Sequence, residues 1–165
     1  MKFILKVPFS LPLSLALLML GGCSTVTNAP TDQTSTSSAE PSVITFTQTG
    51  CQFLETEGED YKFTTTKAED CNEINAKTLN DRQKTFKPLE LKAGKYIFRV
   101  TNQNVPYELG FYLRGEGLSK AKLPKVSGGG LTQGATEDYE VTLQPGNYVF
   151  SCPLNPTPDY PLVVQ

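Results

Sequence analysis

Apolar and polar positions alternate through most of the second half of this 165-residue chain. Tyr96, Phe98 and Val100 fall on one face of Lys95 to Thr101, and Leu109, Phe111 and Leu113 alternate next. Tyr139, Val141 and Leu143 repeat the pattern, then Tyr148, Phe150 and Cys152, and a last apolar run covers Tyr160 to Val164. Period-two alternation in β-branched and aromatic residues predicts half-buried strands. Val43 to Gln48 and Tyr61 to Thr66 read the same way, with a turn at Glu57 to Asp60 between them. Gln144-Pro145-Gly146 is a tight-turn signal, because proline fixes φ and glycine supplies positive φ. Pro124 to Gly134 reads as a glycine-rich connection. One helix is expected, over Cys71 to Arg82 and capped by Asp70, with a thin apolar stripe of Ile74, Ala76 and Leu79. Seven or eight short strands at regular spacing predict an all-β fold, a sandwich with a short helical insertion.

The first 42 residues follow other rules. Lys2 and Lys6 precede the apolar run Leu11 to Leu20, and Gly21-Gly22-Cys23 follows. The run is too short for a membrane span and reads as a secretory signal over residues 1–22. Leu20-Gly21-Gly22-Cys23 resembles the bacterial lipobox. That resemblance implies cleavage before Cys23 and acylation of its thiol; cleavage at an ordinary secretory site, leaving Cys23 a free thiol, is the plainer alternative. Several acyl chains on one cysteine hold a protein firmly to a membrane. In Gram-negative lipoproteins, which this segment resembles, Ser24 after the cysteine implies outer-membrane sorting, so the expected location is the cell envelope, lipid-anchored and facing the periplasm. Residues 23–42 are small, polar and poor in apolar side chains, as a flexible tether between lipid and domain requires. The domain itself is expected over residues 43–165.

Charge and missing residue types narrow the function. The formal net charge is -2, and a mildly acidic chain with no basic stripe argues against nucleic-acid binding. There is no histidine. Serine and cysteine nucleophiles therefore lack their usual activating base, and the carboxylates are too scattered for acid–base work. Gly128-Gly129-Gly130 is followed by no Lys-Ser/Thr pair, so it is no phosphate loop. The expectation is a protein that is not an enzyme.

The segment from Phe86 to Asn102, the stretch Gln144 to Cys152 and the closing strand Leu162 to Val164 together resemble a cupredoxin. The resemblance implies a Greek-key β-sandwich. Cupredoxins hold copper with two histidines, one cysteine and a weak axial methionine. Here Asn102-Gln-Asn-Val-Pro106 leads to Tyr107-Glu108 where the first histidine is implied, and the loop after Cys152 is Pro153-Leu-Asn-Pro-Thr-Pro-Asp159. Met1 and Met19 both lie in the signal segment. Of the blue-copper ligands, Cys152 alone is present. The chain is more similar to the cupredoxin-like domain of bacterial periplasmic iron-uptake proteins, the kind joined to an imelysin-type domain. That likeness rests on Thr49-Gly50-Cys51, on Tyr107-Glu108 and on Cys152, and implies either a metal site (copper or iron) at Cys51, Glu108 and Cys152 or a Cys51–Cys152 disulfide. The chain departs from it by lacking the acidic stretch before the pre-cysteine strand and by carrying an insertion between Cys51 and Phe86 that holds Cys71.

With Cys23 acylated, Cys51, Cys71 and Cys152 remain, and an exported, oxidising setting favours disulfides. Cys51–Cys71 would close a loop of about 20 residues and stabilise by roughly 3 kcal/mol in the chain-entropy model. Cys51–Cys152 is the pairing the resemblance implies, and Cys71–Cys152 is the third choice. A soft metal site from Cys51, Cys152 and Glu108, with or without Cys71, is the alternative, and Glu108 as a plain solvated residue is the reading against it. The expected function is a membrane-anchored, non-catalytic binding or accessory module. It needs no cofactor, and its partner is another envelope protein or a small ligand. Metal binding or uptake is the alternative.

Overall fold

The structure, a computed structural model, describes residues 40–165. The signal segment, Cys23 and the tether up to residue 39 lie outside the described residues. Among the described residues nine strands form two sheets: β1 (Ser42–Thr49), β2 (Gln52–Phe53), β3 (Leu89–Leu91), β4 (Gly94–Asn102), β5 (Leu109–Gly115), β6 (Val126–Leu131), β7 (Thr136–Leu143), β8 (Gly146–Ser151) and β9 (Tyr160–Val164). One sheet has the order β2-β1-β4-β7 and the other β3-β9-β8-β5-β6. β1 runs parallel to β4, from Ser42 opposite Tyr96 to Gln48 opposite Asn102, and β4 is antiparallel to β7. The chain is thus a β-sandwich with a short helical insertion.

The alternating residues meet between the sheets. Phe46, Phe53, Phe98, Phe111, Phe150 and Tyr160 are buried there with Leu109, Leu113 and Leu162. The rings pack edge-on and offset: Phe46 lies 4.6 Å from Phe150, and Phe53 stands T-shaped to Phe46, Phe111, Phe150 and Tyr160. Such contacts add to the burial of apolar area that drives the fold.

Four local expectations are corrected. Pro124 to Gly134 contains β6 rather than a free connection. Its glycines permit close packing, since a Cβ on Gly110 of β5 would stand 2.3 Å from the Gly128 carbonyl. Tyr61 to Thr66 is not a strand. Its amides at Tyr61 and Lys62 are taken by Gln52 Oε1 and Asp60 Oδ1, and Lys62 adopts a left-handed φ of 54°. Glu57 closes a helical turn, α1 (Leu54–Glu57), and the turn begins only at Gly58. The expected helix is present as α2 (Asp70–Arg82). Asp70 does not cap it in the expected sense: its carboxylate accepts from Thr66 N, Thr66 Oγ1 and Lys67 N, the residues before the helix. Among the described residues no helix is long and apolar enough to cross a membrane.

The insertion, residues 54–88, is braced internally by an ion pair, which also contacts the sandwich through the Cys51 carbonyl and the Tyr160 hydroxyl. Arg82 donates from Nε and Nη2 to the two oxygens of Glu57 at 2.8 and 2.6 Å, and both side chains are buried. Nη1 donates to Asn75 and Thr78, and Nη2 also reaches the Cys51 carbonyl at 3.1 Å. The rings of Tyr61 and Phe63 lie on the guanidinium. Removing one partner of a buried pair strands the other charge, at a cost of about 3–5 kcal/mol. Arg82→Met should therefore lower unfolding free energy by about that amount in a urea titration of the full chain, and adding Glu57→Leu should restore more than half of it. A loss under about 1 kcal/mol for Arg82→Met would mean the pair does not hold the insertion.

Candidate functional site

The tip of the sandwich gathers the residues singled out in the sequence. A two-residue turn, Gly50-Cys51, joins β1 to β2, since Thr49 pairs with Gln52. Gly50 has no room for a side chain: a Cβ there would stand 2.5 Å from the Phe63 carbonyl, so the insertion rests directly on the turn. Cys51 has a φ of 63°, a left-handed conformation costly for any residue with a Cβ. Every group it carries is engaged. Its N–H donates to Asn155 Oδ1 at 3.0 Å, its carbonyl accepts from Arg82, and its sulfur is bonded to Cys71. The disulfide is Cys51–Cys71, which decides among the three pairings. The Cys51–Cys152 pairing implied by resemblance is not formed, because the turn aims Cys51 at the insertion while Cys152 faces β5.

Cys152 is a free, buried thiol just past β8. Gly110 N–H donates to its Sγ at 3.3 Å. Burial pushes the thiol pKa up, and the amides of Gly110, Leu154 and Asn155 offset that in part. The loop after it folds back through Thr157, whose Oγ1 accepts from Cys152 N at 2.8 Å. This turn carries Asn155 inward until it is fully buried. Asn155 Nδ2 donates to the Thr49 carbonyl at 2.9 Å. Its Oδ1 accepts from Cys51 N and from the Tyr107 hydroxyl at 3.2 Å, and touches Cys71 Sγ. One amide side chain therefore joins the post-cysteine loop, the first hairpin, the disulfide and Tyr107.

A second buried amide closes the other side. Asn102 Nδ2 donates to the carbonyls of Val105 and Leu131, and its Oδ1 accepts from Val105 N. That shapes the loop delivering Tyr107. Tyr107 and Asn155 thus meet at the tip, where the Tyr107 hydroxyl donates to Asn155 Oδ1. Gln48 donates to the Gly110 carbonyl, while Gln48 Oε1 and Thr49 Oγ1 are buried without partners among the described residues.

The set Cys51, Glu108 and Cys152 is not assembled. The Cys51 sulfur is spent in the disulfide, and Glu108 is exposed, with Oε1 accepting from Gly130 N at 2.8 Å. Among the described residues, no group of three or more His, Cys, Asp or Glu is placed to hold a metal ion. The sequence reading missed Asn155, Glu57, Arg82 and Tyr160. Tyr160 donates to Glu57 Oε1 at 2.5 Å, and burial together with the Glu57 charge raises the phenol pKa well above its usual value. Only Asn155 left a local signal, three residues after the cysteine in a proline-rich loop.

No protein-family model matches the chain, and no curated protein matches it. Solved structures similar to it include an oxidised Met-to-Lys mutant of amicyanin, 18% identical over 47% of this chain and 69% of that one, with a TM-score of 0.33. A Pro-to-Gly mutant of amicyanin in the reduced Cu(I) form at pH 4 is 17% identical over 48% and 72%, also at 0.33.

The cysteine arrangement has a direct readout. Non-reducing peptide mapping should recover Cys51 linked to Cys71. A free thiol of ordinary pKa, about 8.5, is substantially ionised and alkylated at pH 8. Because the Cys152 pKa is raised, the folded protein keeps its proton through that range and should be alkylated there only in denaturant. Rapid modification of the native protein, or a disulfide at Cys152, would contradict the geometry.

Proposed function

We propose that the chain is a lipid-anchored lipoprotein of the cell envelope, tethered through Cys23, whose sandwich is a non-catalytic binding or accessory module without a blue-copper centre. The observation that carries the reading is the tip. The place implied for a metal is filled by Tyr107, Asn155 and the Cys51–Cys71 disulfide, hydrogen-bonded to one another. Opening it for an ion would break several buried hydrogen bonds, each leaving a polar group unsatisfied at about 1–3 kcal/mol. The remaining sulfur, Cys152, accepts a backbone N–H and is buried. The lipobox-like Leu20 to Cys23 and the polar tether supply the anchoring half of the proposal. On this reading the partner is another envelope protein or a small ligand, met by the surface of the sandwich rather than at its tip.

Two measurements test it. The full chain, oxidised as isolated, is titrated with Cu(I), Cu(II), Fe(II) and Zn(II); no stoichiometric binding tighter than about 1 μM is expected, a limit corresponding to roughly 8 kcal/mol. One equivalent bound tightly and lost in Cys152→Ser would replace the module with a metal-handling protein. The Cys23→Ser chain, expressed in a Gram-negative host, should move from the membrane fraction to the soluble one; retention in the membrane would remove the lipid anchor from the account.

A further inference from the structure

β1 leaves part of its backbone unused. Successive residues of a strand turn their N–H and C=O groups to opposite sides, and three contacts fix which side each residue of β1 serves. Gln48 turns towards β4, since its carbonyl accepts from Gln103 N just past that strand. Thr47 and Thr49 turn the other way: Thr47 N donates to the Glu55 carboxylate, and Thr49 pairs with Gln52 of β2. By the same alternation Val43 and Thr45 point their N–H and C=O groups away from β4. β2 pairs only with Gln48 and Thr49, so among the described residues these groups meet no strand. Ser42, Val43 and Thr45 are exposed, Val43 by 48%, as residues on an uncovered edge are.

The other edges of the two sheets are guarded. β7 carries Glu137, Asp138 and Glu140, and β3 and β2 are three and two residues long. β6 has a register shift against β5 and a left-handed Gly130 at a φ of 88°. Charge, shortness and irregularity are what keep an edge from pairing with another chain. Ser42–Phe46 has none of these protections: it carries no charge, glycine or proline, and after Ser42 its side chains are β-branched or aromatic.

The segment is also complementary to itself. In an antiparallel pair centred on Ile44, Val43 of one copy stands opposite Thr45 of the other and exchanges both hydrogen bonds with it, and a second such pair follows by symmetry. Both pairs use the groups that face outward. Ile44, whose groups face β4, falls at the position between them that makes no bond across the pair. On the core side Ile44, half-buried in a single copy, meets Ile44 of the other; on the outer side Val43 covers Thr45. No like charges meet. Each chain has one such edge, so the pairing closes at two copies.

We propose that β1 is a self-association edge and that its partner is a second copy of this chain, the two sheets joining into one through Ser42–Phe46. The contact is short, so the dimer is weak and reversible. This goes beyond the module proposed above and does not depend on its anchor.

Sedimentation equilibrium of the full chain bearing Cys23→Ser, which has no thiol there to acylate, tests it. The mass should rise reversibly from monomer to dimer between about 10 μM and about 1 mM, the range of a small transient contact. Thr45→Pro removes an outward N–H where an edge strand tolerates proline, and Val43→Lys puts a charge on the edge. Each should weaken association at least about tenfold while the β4 amides stay protected from exchange. A monomer at every concentration overturns the proposal, and so does a dimer that either variant leaves intact. Amide exchange reads the edge itself: the Val43 and Thr45 amides should exchange freely in dilute protein and become protected as it is concentrated. Protection at every concentration would mean that an earlier segment of the chain covers the edge, and would overturn the proposal too.

Discussion

A buried guanidinium organises the tip of this molecule. Arg82 comes from the last turn of α2, far in sequence from the strands it serves. Its fork meets the Glu57 carboxylate, its remaining donors reach Asn75, Thr78 and the Cys51 carbonyl, and two aromatic rings cover its face. A charge this deeply buried is tolerated only when it is paired and its donors are satisfied. The requirement fixes α1, α2 and the Tyr61–Phe63 stretch together. Tyr160 extends the network into the sandwich, because its hydroxyl donates to Glu57 and accepts from Phe53 N. The insertion therefore forms one wall of the tip.

That wall explains the strained turn at Cys51. A left-handed backbone at a residue other than glycine persists where its surroundings over-determine it. Here the amide, carbonyl and sulfur of one residue are held from two elements: the post-cysteine loop through Asn155, and α2 through both Arg82 and Cys71. Asn155 makes the matching set of contacts from the opposite side. The result is a closed polar cluster at the tip, and Cys152 lies beneath it as a buried thiol.

The sandwich was legible because its strands carry their own signal. Phe98, Phe111 and Phe150 sit in period-two runs and all reach the core. β6 was hidden because Ser127 to Gly130 presents almost no side chains to alternate; the space a side chain would need is taken by neighbours, since a Cβ at Gly128 would lie 2.8 Å from the Tyr139 ring. Tyr61 to Thr66 misled for the opposite reason. Tyr61 and Phe63 do lie on one side, but they stack on each other and on Arg82 rather than in a sheet. At the tip, the cysteines and Tyr107 were visible as residue types, whereas their connections were not. Which cysteine Cys51 meets depends on the path of the insertion, and that path is set by Glu57 and Arg82, 25 residues apart with no shared motif.

The central claim is that the tip is a locked structural cluster. Native-state amide hydrogen exchange measures that most directly, at Cys51, Val105, Gly110 and Cys152, whose N–H groups donate to Asn155, Asn102, the Cys152 sulfur and Thr157. The account predicts that all four exchange only through global unfolding, with the same opening free energy as the β4 core amides. Exchange of these four through a local opening several kcal/mol below the global value, with β4 still protected, would contradict it and describe a tip built to open.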